Sequence, residues 1–166
     1  MTENSGKVNE IKFSTGVVLT AKQVSTMMMT KMLRSFGGEP TPPTVFDKDR
    51  GENISNPDDP KFKKEHSEWQ LTIGDLMTDR MIVLGTSLKS SPKDFQKIDD
   101  KEWREELEVL EMSVGEGKER YLNWVKYVAA PTGEDITSIV NIVGGLSGIP
   151  ETEVDASVQS FRSDEE

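Results

Sequence analysis

Pro131 interrupts the most apolar and most regular stretch of this chain, and it dictates what that stretch can become. A proline lacks the backbone donor that the next helical turn would need, so a helix arriving from the N-terminal side stops there. On that side Tyr121, Trp124, Val125 and Val128 recur at helical spacing and predict one broad apolar face. On the other side Thr132 and Asp135 stand in the order of an N-cap and an acidic N3 residue. Ile136, Ile139, Val140 and Val143 form the next stripe. Residues 116–143 therefore read as two amphipathic helices in a helical hairpin, and as the nucleus of the core.

The rest of the chain must pack on that nucleus. Glu10–Phe13 alternates, Ser14-Thr15-Gly16 makes a turn and Val17–Thr20 follows, which predicts a β-hairpin with Gly16 at positive φ. So small a hairpin is not stable alone and needs a helix or another strand beside it. Ala21–Phe36 predicts a helix with Val24, Met27, Met28, Met32, Leu33 and Phe36 on one side, ended by Gly37-Gly38. Residues 39–60 are different: Pro40, Pro42 and Pro43 force extended backbone, acidic residues abound, and Val45-Phe46 offers a short strand or an anchor. Asp59-Pro60 then supplies an N-cap and a proline at the first helical position of a long helix reaching Leu84, with Phe62, His66, Trp69, Ile73 and Arg80 along one side. Thr86–Lys97 reads as a polar connection. Asp99 or Asp100 opens another helix with the stripe Trp103, Leu107 and Leu110, and residues 112–117 form a loop. Gly144-Gly145 and Gly148 break the chain again before a final small helix carrying Val154, Val158 and Phe161. The expected fold is mainly α: a small N-terminal β-hairpin, an extended Pro-rich arm, and about six helices packed as an irregular bundle. The divisions are a mobile stretch over 1–9, the hairpin and helix over 10–38, the arm over 39–60, a helical domain over 61–162 and an acidic tail over 163–166.

Charge and composition exclude several function classes. The net charge of -10 disfavours nucleic acid or an anionic lipid surface as the main partner and favours basic surfaces on other proteins. Without cysteine there is no thiol catalysis and no thiolate metal site, and His66 is the only histidine. The first residues lack an apolar signal region and no run is long enough to span a bilayer, so a soluble, cytosolic protein is expected.

A search for chemistry finds no catalytic set, no metal set and no cofactor site. Residues 47–58 resemble a calcium loop superficially, but the glycine falls at the fifth position and the twelfth residue is Asp58 rather than glutamate. Asp58, Asp59, Asp99 and Asp100 suit helix capping. Asp75 and Asp79 share a helix face, where pairing with Arg80 or solvation explains them. His66 beside Glu65 and Ser67 is no triad, because adjacent helical residues do not face each other. Trp69, Trp103 and Trp124 each fit an apolar stripe and read as core. The eight methionines are more than a chain of this size needs, and Met27, Met28, Met29 and Met32 suit either core filling or an adaptable protein-binding surface. Met28, Met32 and Phe36, with Val45 and Phe46, are the candidate contact residues.

Three segments carry a resemblance. They are Ile11–Leu19 followed by a helix, Pro40–Phe46 with Gly51 and Asn56–Phe62, and Arg120–Tyr127 with the helices after it. In these, and in their order along most of the chain, the protein resembles the tail assembly chaperones of long-tailed bacteriophages. The resemblance implies a non-enzymatic role in tail morphogenesis in the host cytoplasm. It implies binding to the tape-measure protein, whose helical segments are kept soluble, and recruitment of the major tail-tube protein. It brings no catalytic residues. A structural subunit of the virion tail, such as a completion or adaptor protein, is the alternative, with the 39–60 arm lying on a neighbour. An enzyme or enzyme regulator and a helical interaction domain with another partner are further classes. A homo-oligomer is compatible with the same apolar faces.

Overall fold

Gly16 adopts φ +86°, the left-handed conformation that a glycine reaches without strain, and the turn around it joins β1 (Asn9–Lys12) to β2 (Val18–Ala21). The amide of Phe13 donates to the carbonyl of Val17 at 2.9 Å and closes the loop. A computed structural model describes residues 9–149 of the chain. In it the first hairpin is the start of a three-stranded antiparallel sheet in the order β1-β2-β5, where β5 spans Thr86–Ser90. Ile11, Leu19 and Ala21 point inward and are buried. Thr86–Lys97, expected as a polar connection, instead opens with a five-residue strand. The strand is held by backbone pairing with β2 at the sheet edge, and its side chains beyond Thr86 are exposed. It therefore has no apolar alternation to read.

Between β2 and β5 the chain leaves the sheet and returns. α1 (Thr26–Ser35) begins later than the expected Ala21, because Ala21 still belongs to β2. Gly37, at φ +89°, follows the C-cap Phe36. Within residues 39–60, β3 (Thr44–Asp47) and β4 (Glu52–Ser55) form a second antiparallel hairpin, pairing Val45 with Ile54 and Phe46 with Asn53. Val45 is 47%, Phe46 60% and Ile54 36% exposed, so this hairpin has no buried face. α2 (Pro60–Gly85) starts as expected: the Asp59 carboxylate accepts from the amide of Phe62 at 2.9 Å and Pro60 occupies the first turn. Its C-terminal half is buried through Met77, Thr78, Met81 and Ile82. Gly85, its last residue, lies where a Cβ would stand 2.4 Å from a methyl of Val143 and 3.0 Å from one of Val24. Only a glycine allows α2, α5 and the start of the α1 segment to approach so closely.

α3 (Lys101–Val109) buries Trp103 and Leu107. Leu110, expected in the same stripe, is 67% exposed, because the helix has ended and Glu111 turns away at φ +58°. Asp100 holds the N-cap position, but its carboxylate accepts from the amide of Lys97 at 2.7 Å, outside the helix. Two buried tryptophans fix the loop before α3. Trp103 donates its indole proton to the carbonyl of Lys97 at 3.1 Å, and Trp124 donates to that of Gln96 at 3.0 Å. Phe95 packs edge-on against Trp124.

α4 (Lys118–Trp124) widens into a π-helical turn, Val125–Ala129, in which the amide of Ala130 reaches back to the carbonyl of Val125 at 2.8 Å. Pro131 ends it. α5 (Gly133–Leu146) follows with Thr132 as N-cap, accepting from the amide of Asp135 at 3.2 Å. All four residues of the expected α5 stripe are buried, each contributing about 1.5–3 kcal/mol of burial. Two expectations fail here. α4 and α5 do not pair with each other as a helical hairpin: each packs on α2, and α5 also covers β1 and β2. Nor do Gly144 and Gly145 break the chain. The helix runs through them to Leu146, since Gly144 is buried and the packing of the surrounding residues offsets a propensity cost of about 1 kcal/mol per glycine.

The two ends of the described chain are sewn together. Ser14 donates its amide to Asp135 Oδ1 at 2.8 Å and its hydroxyl to Oδ2 at 2.7 Å. The Thr15 hydroxyl donates to the carbonyl of Ala129 at 2.7 Å, and the amide of Val24 donates to the Ser147 hydroxyl at 2.9 Å. The turn of the first hairpin thus plugs the break at Pro131. The architecture is a mainly helical fold with an N-terminal antiparallel β element. Five α-helices stand among the described residues. The expected final helix with Val154, Val158 and Phe161, the acidic 163–166 and the stretch before Asn9 lie outside them. Asn9 itself, expected in the mobile stretch, opens β1.

Candidate partner-binding groove

α1 presents two faces. Met29 turns inward and is buried, while Met28 is 53% exposed and Met32 and Phe36 are half-buried. Residues 28, 32 and 36 recur four apart and share one side of the helix, together with Lys31 and Ser35. That side faces Arg80 and Leu84, themselves four apart on α2. Together they line an open groove of about 490 Å³ whose floor is apolar. Methionine suits such a floor, because its unbranched, polarisable side chain repacks around different partner shapes at little cost. The two charged groups of the lining, Lys31 and Arg80, are both positive, in a chain whose net charge is -10.

Three of the five candidate contact residues, Met28, Met32 and Phe36, are therefore brought together. Val45 and Phe46 are not: they sit on β3 of the exposed hairpin, and neither lines the groove. The register of β3 places these two on opposite faces of that hairpin. The candidate set missed Met29, Lys31 and Ser35 of α1 and the two residues of the opposite wall, Arg80 and Leu84. The signal of the last two was present, since both fall on the periodic side of α2, but nothing in a single helix says which other helix lies against it. Arg80 also lines a second, smaller cleft of about 350 Å³ between α2 and α4, with Leu76, Asp79, Val83, Lys118, Glu119 and Leu122.

The titratable groups have structural explanations. Asp47, first residue of the calcium-like loop, spends Oδ1 on the amides of Asp49 and Arg50 inside its own turn. Asp79 pairs with Lys126 at 2.7 Å, not with Arg80. Asp99 meets Arg120 at 3.2 Å. His66 lies between Phe62 and Trp69 and contacts Glu39 at 2.8 Å. Among the described residues, Asp58, Tyr121 and Asp135 have pKa values shifted from the ordinary ones. Hydrogen bonding and charge from Lys63 hold Asp58 low. Burial pushes the Tyr121 phenol up. For Asp135 burial pushes upward, but the donors on Ser14 and Thr132 together outweigh it and hold the carboxyl below its usual value. None of these groups lines the groove. Among the described residues no three Asp, Glu, His or Cys side chains cluster as metal ligands, and no helix is long and apolar enough to cross a membrane.

No protein-family model, no curated protein and no solved structure matches the chain.

Proposed function

We propose that the chain is a non-enzymatic binding protein that holds an apolar helical segment of a partner in the α1–α2 groove, and that it serves as a tail assembly chaperone. The observation that carries this reading is the gathering of Met28, Met32, Phe36 and Leu84 into one open apolar trough. A trough walled by two helices accepts a third helix through anchors at helical spacing. The partner in this reading is the tape-measure protein, whose long helical segments aggregate before the tube forms around them, with the tail-tube protein recruited afterwards. The acidic surface keeps such a complex in solution. The protein then acts in the host cytoplasm, and residues 39–60 act as an arm.

Co-expression with the tape-measure and tube proteins of the same genome, followed by native mass spectrometry, tests this. The expected result is soluble tape-measure protein only when this chain is present and bound to it. A defined ring of this chain, or its incorporation with tube subunits while the tape measure stays insoluble, replaces the chaperone role with that of a structural subunit of the virion tail. The exposed β3–β4 hairpin favours that second reading, because Val45, Phe46 and Ile54 offer apolar side chains to a neighbour.

A further inference from the structure

The α1–α2 groove carries a charge opposite to that of the chain around it. Among the described residues its lining holds Lys31 and Arg80 and no carboxylate, although Asp and Glu number 30 against 20 Lys and Arg in the whole chain. Both cations are exposed, one on each wall of the apolar floor. Among the described residues neither makes an ion pair. Asp79, the carboxylate beside Arg80 in the sequence, is taken by Lys126 at 2.7 Å. Ser35, the remaining polar side chain of the lining, donates its hydroxyl proton to the carbonyl of Met32 at 2.6 Å and stays within its own helix. Besides apolar contact, the groove therefore offers a partner two uncompensated positive charges.

Distance decides between this local charge and the net charge of -10. At physiological ionic strength the screening length is about 8 Å, so a carboxylate seated in the groove feels Lys31 and Arg80 and is largely screened from the acidic surface beyond. The two cations differ in kind. The Arg80 guanidinium presents a planar fork that takes a carboxylate through two parallel N–H donors, while Lys31 is a compact charge on a flexible stem. The floor sets the rest of the pattern. Met28, Met32 and Phe36 recur every four residues and span about 12 Å along α1. A helix lying along that row meets it over roughly two turns with apolar side chains at i, i+4 and i+7. The walls then stand beside the stripe, where Asp or Glu on the partner's flanks meets the cations. A basic flank would bring like charges together with no carboxylate in the lining to receive them.

We infer that the groove selects an acidic amphipathic helix, with an apolar stripe on the methionine floor and flanking carboxylates against Lys31 and Arg80. The net charge of the chain points to basic partners, and this site points the other way. The inference rests on the reading of the groove as a helix-binding site and not on who the partner is.

Two synthetic peptides of about 15 residues, long enough to form a helix against a surface, test it with the full chain. They share Leu at i, i+4 and i+7 and differ only in the flanking residues, Glu in one and Lys in the other. Calorimetry at physiological salt is expected to show the Glu peptide binding at least about ten-fold more tightly than the Lys peptide, and added salt to weaken it. Arg80→Glu combined with Lys31→Glu should reverse the order, while Arg80→Lys should keep it. Both positions are exposed, so the melting temperature of these variants should stay unchanged. Equal affinities that are lost in Met28→Ser with Met32→Ser overturn the inference and leave the helix-binding reading standing. Tighter binding of the Lys peptide overturns it in favour of the net charge. Binding that persists in the double serine variant places the peptides elsewhere on the surface and overturns it too. Glu-peptide affinity that falls as the chain is concentrated assigns the groove to a second copy, with the same consequence. Failure of both peptides to bind removes the helix-binding reading together with the inference.

Discussion

Asp135 shows how much one side chain settles. Its carboxylate takes two hydrogen bonds from Ser14 and one from the Thr132 hydroxyl, while its amide is capped by Thr132. Hydrogen bonds to a charged group contribute about 1.5–3 kcal/mol, and removing the acceptor strands a donor, so Asp135→Ala is expected to cost on the order of 3 kcal/mol in urea denaturation. The pH dependence has a definite sign. The folded pKa lies below the ordinary aspartate value of about 3.9, so the stabilisation is present above that value and is lost as pH falls through the folded pKa. Asp135→Asn should therefore flatten the acid limb of stability below about pH 4, and an unchanged acid limb would rule out this account. Gly85 is the second such position. Gly85→Ala forces a methyl against Val143 and Val24, and overpacking of this kind costs about 1–3 kcal/mol. Pairing it with Val143→Ala should restore part of the loss, which a double-mutant cycle would read.

Elements differ in how visibly the sequence announces them. α2 was legible at its start because Asp59 and Pro60 act locally on the backbone beside them. α5 was legible at its start for the same reason, through Thr132 and Asp135. β5 was not, because an edge strand with exposed polar side chains is specified by its partner β2, far away in sequence. The packing of α4 and α5 on α2 was hidden too: a stripe says that a face is buried, not against what. The groove lies between these cases. Met28, Met32 and Phe36 could be marked from one helix, but the opposite wall needed the fold. At this scale two tests separate groove from hairpin. Met28→Ser with Met32→Ser should weaken partner binding at least about ten-fold by calorimetry with little change in melting temperature, because Met28 is exposed and Met32 half-buried. Replacing residues 44–55 by a short Gly-Ser linker should leave the melting temperature nearly unchanged, since none of those residues is buried. A large loss of stability there would mean that the hairpin packs on something essential.

For the molecule as a whole, charge and connectivity have separate consequences. With a sequence pI near 4.7, the protein should be least soluble near that pH, above the range in which Asp135 is protonated, and turbidity against pH set beside an acid-unfolding curve would separate the two effects. Connectivity acts earlier in the life of the chain. Ser14 waits for a carboxylate 121 positions further on, and Val24 waits for a hydroxyl 123 positions further on. A ribosome adding roughly 5–20 residues per second needs on the order of ten seconds to deliver them. Throughout that interval the first strand pair has emerged without the helix that covers it. Nascent chains halted before residue 135 should be cut by protease near their beginning, and chains carrying residue 147 clear of the exit tunnel should resist. The seam between turn and helix therefore works as a synthesis check: α5 must have been made before the first hairpin can come to rest.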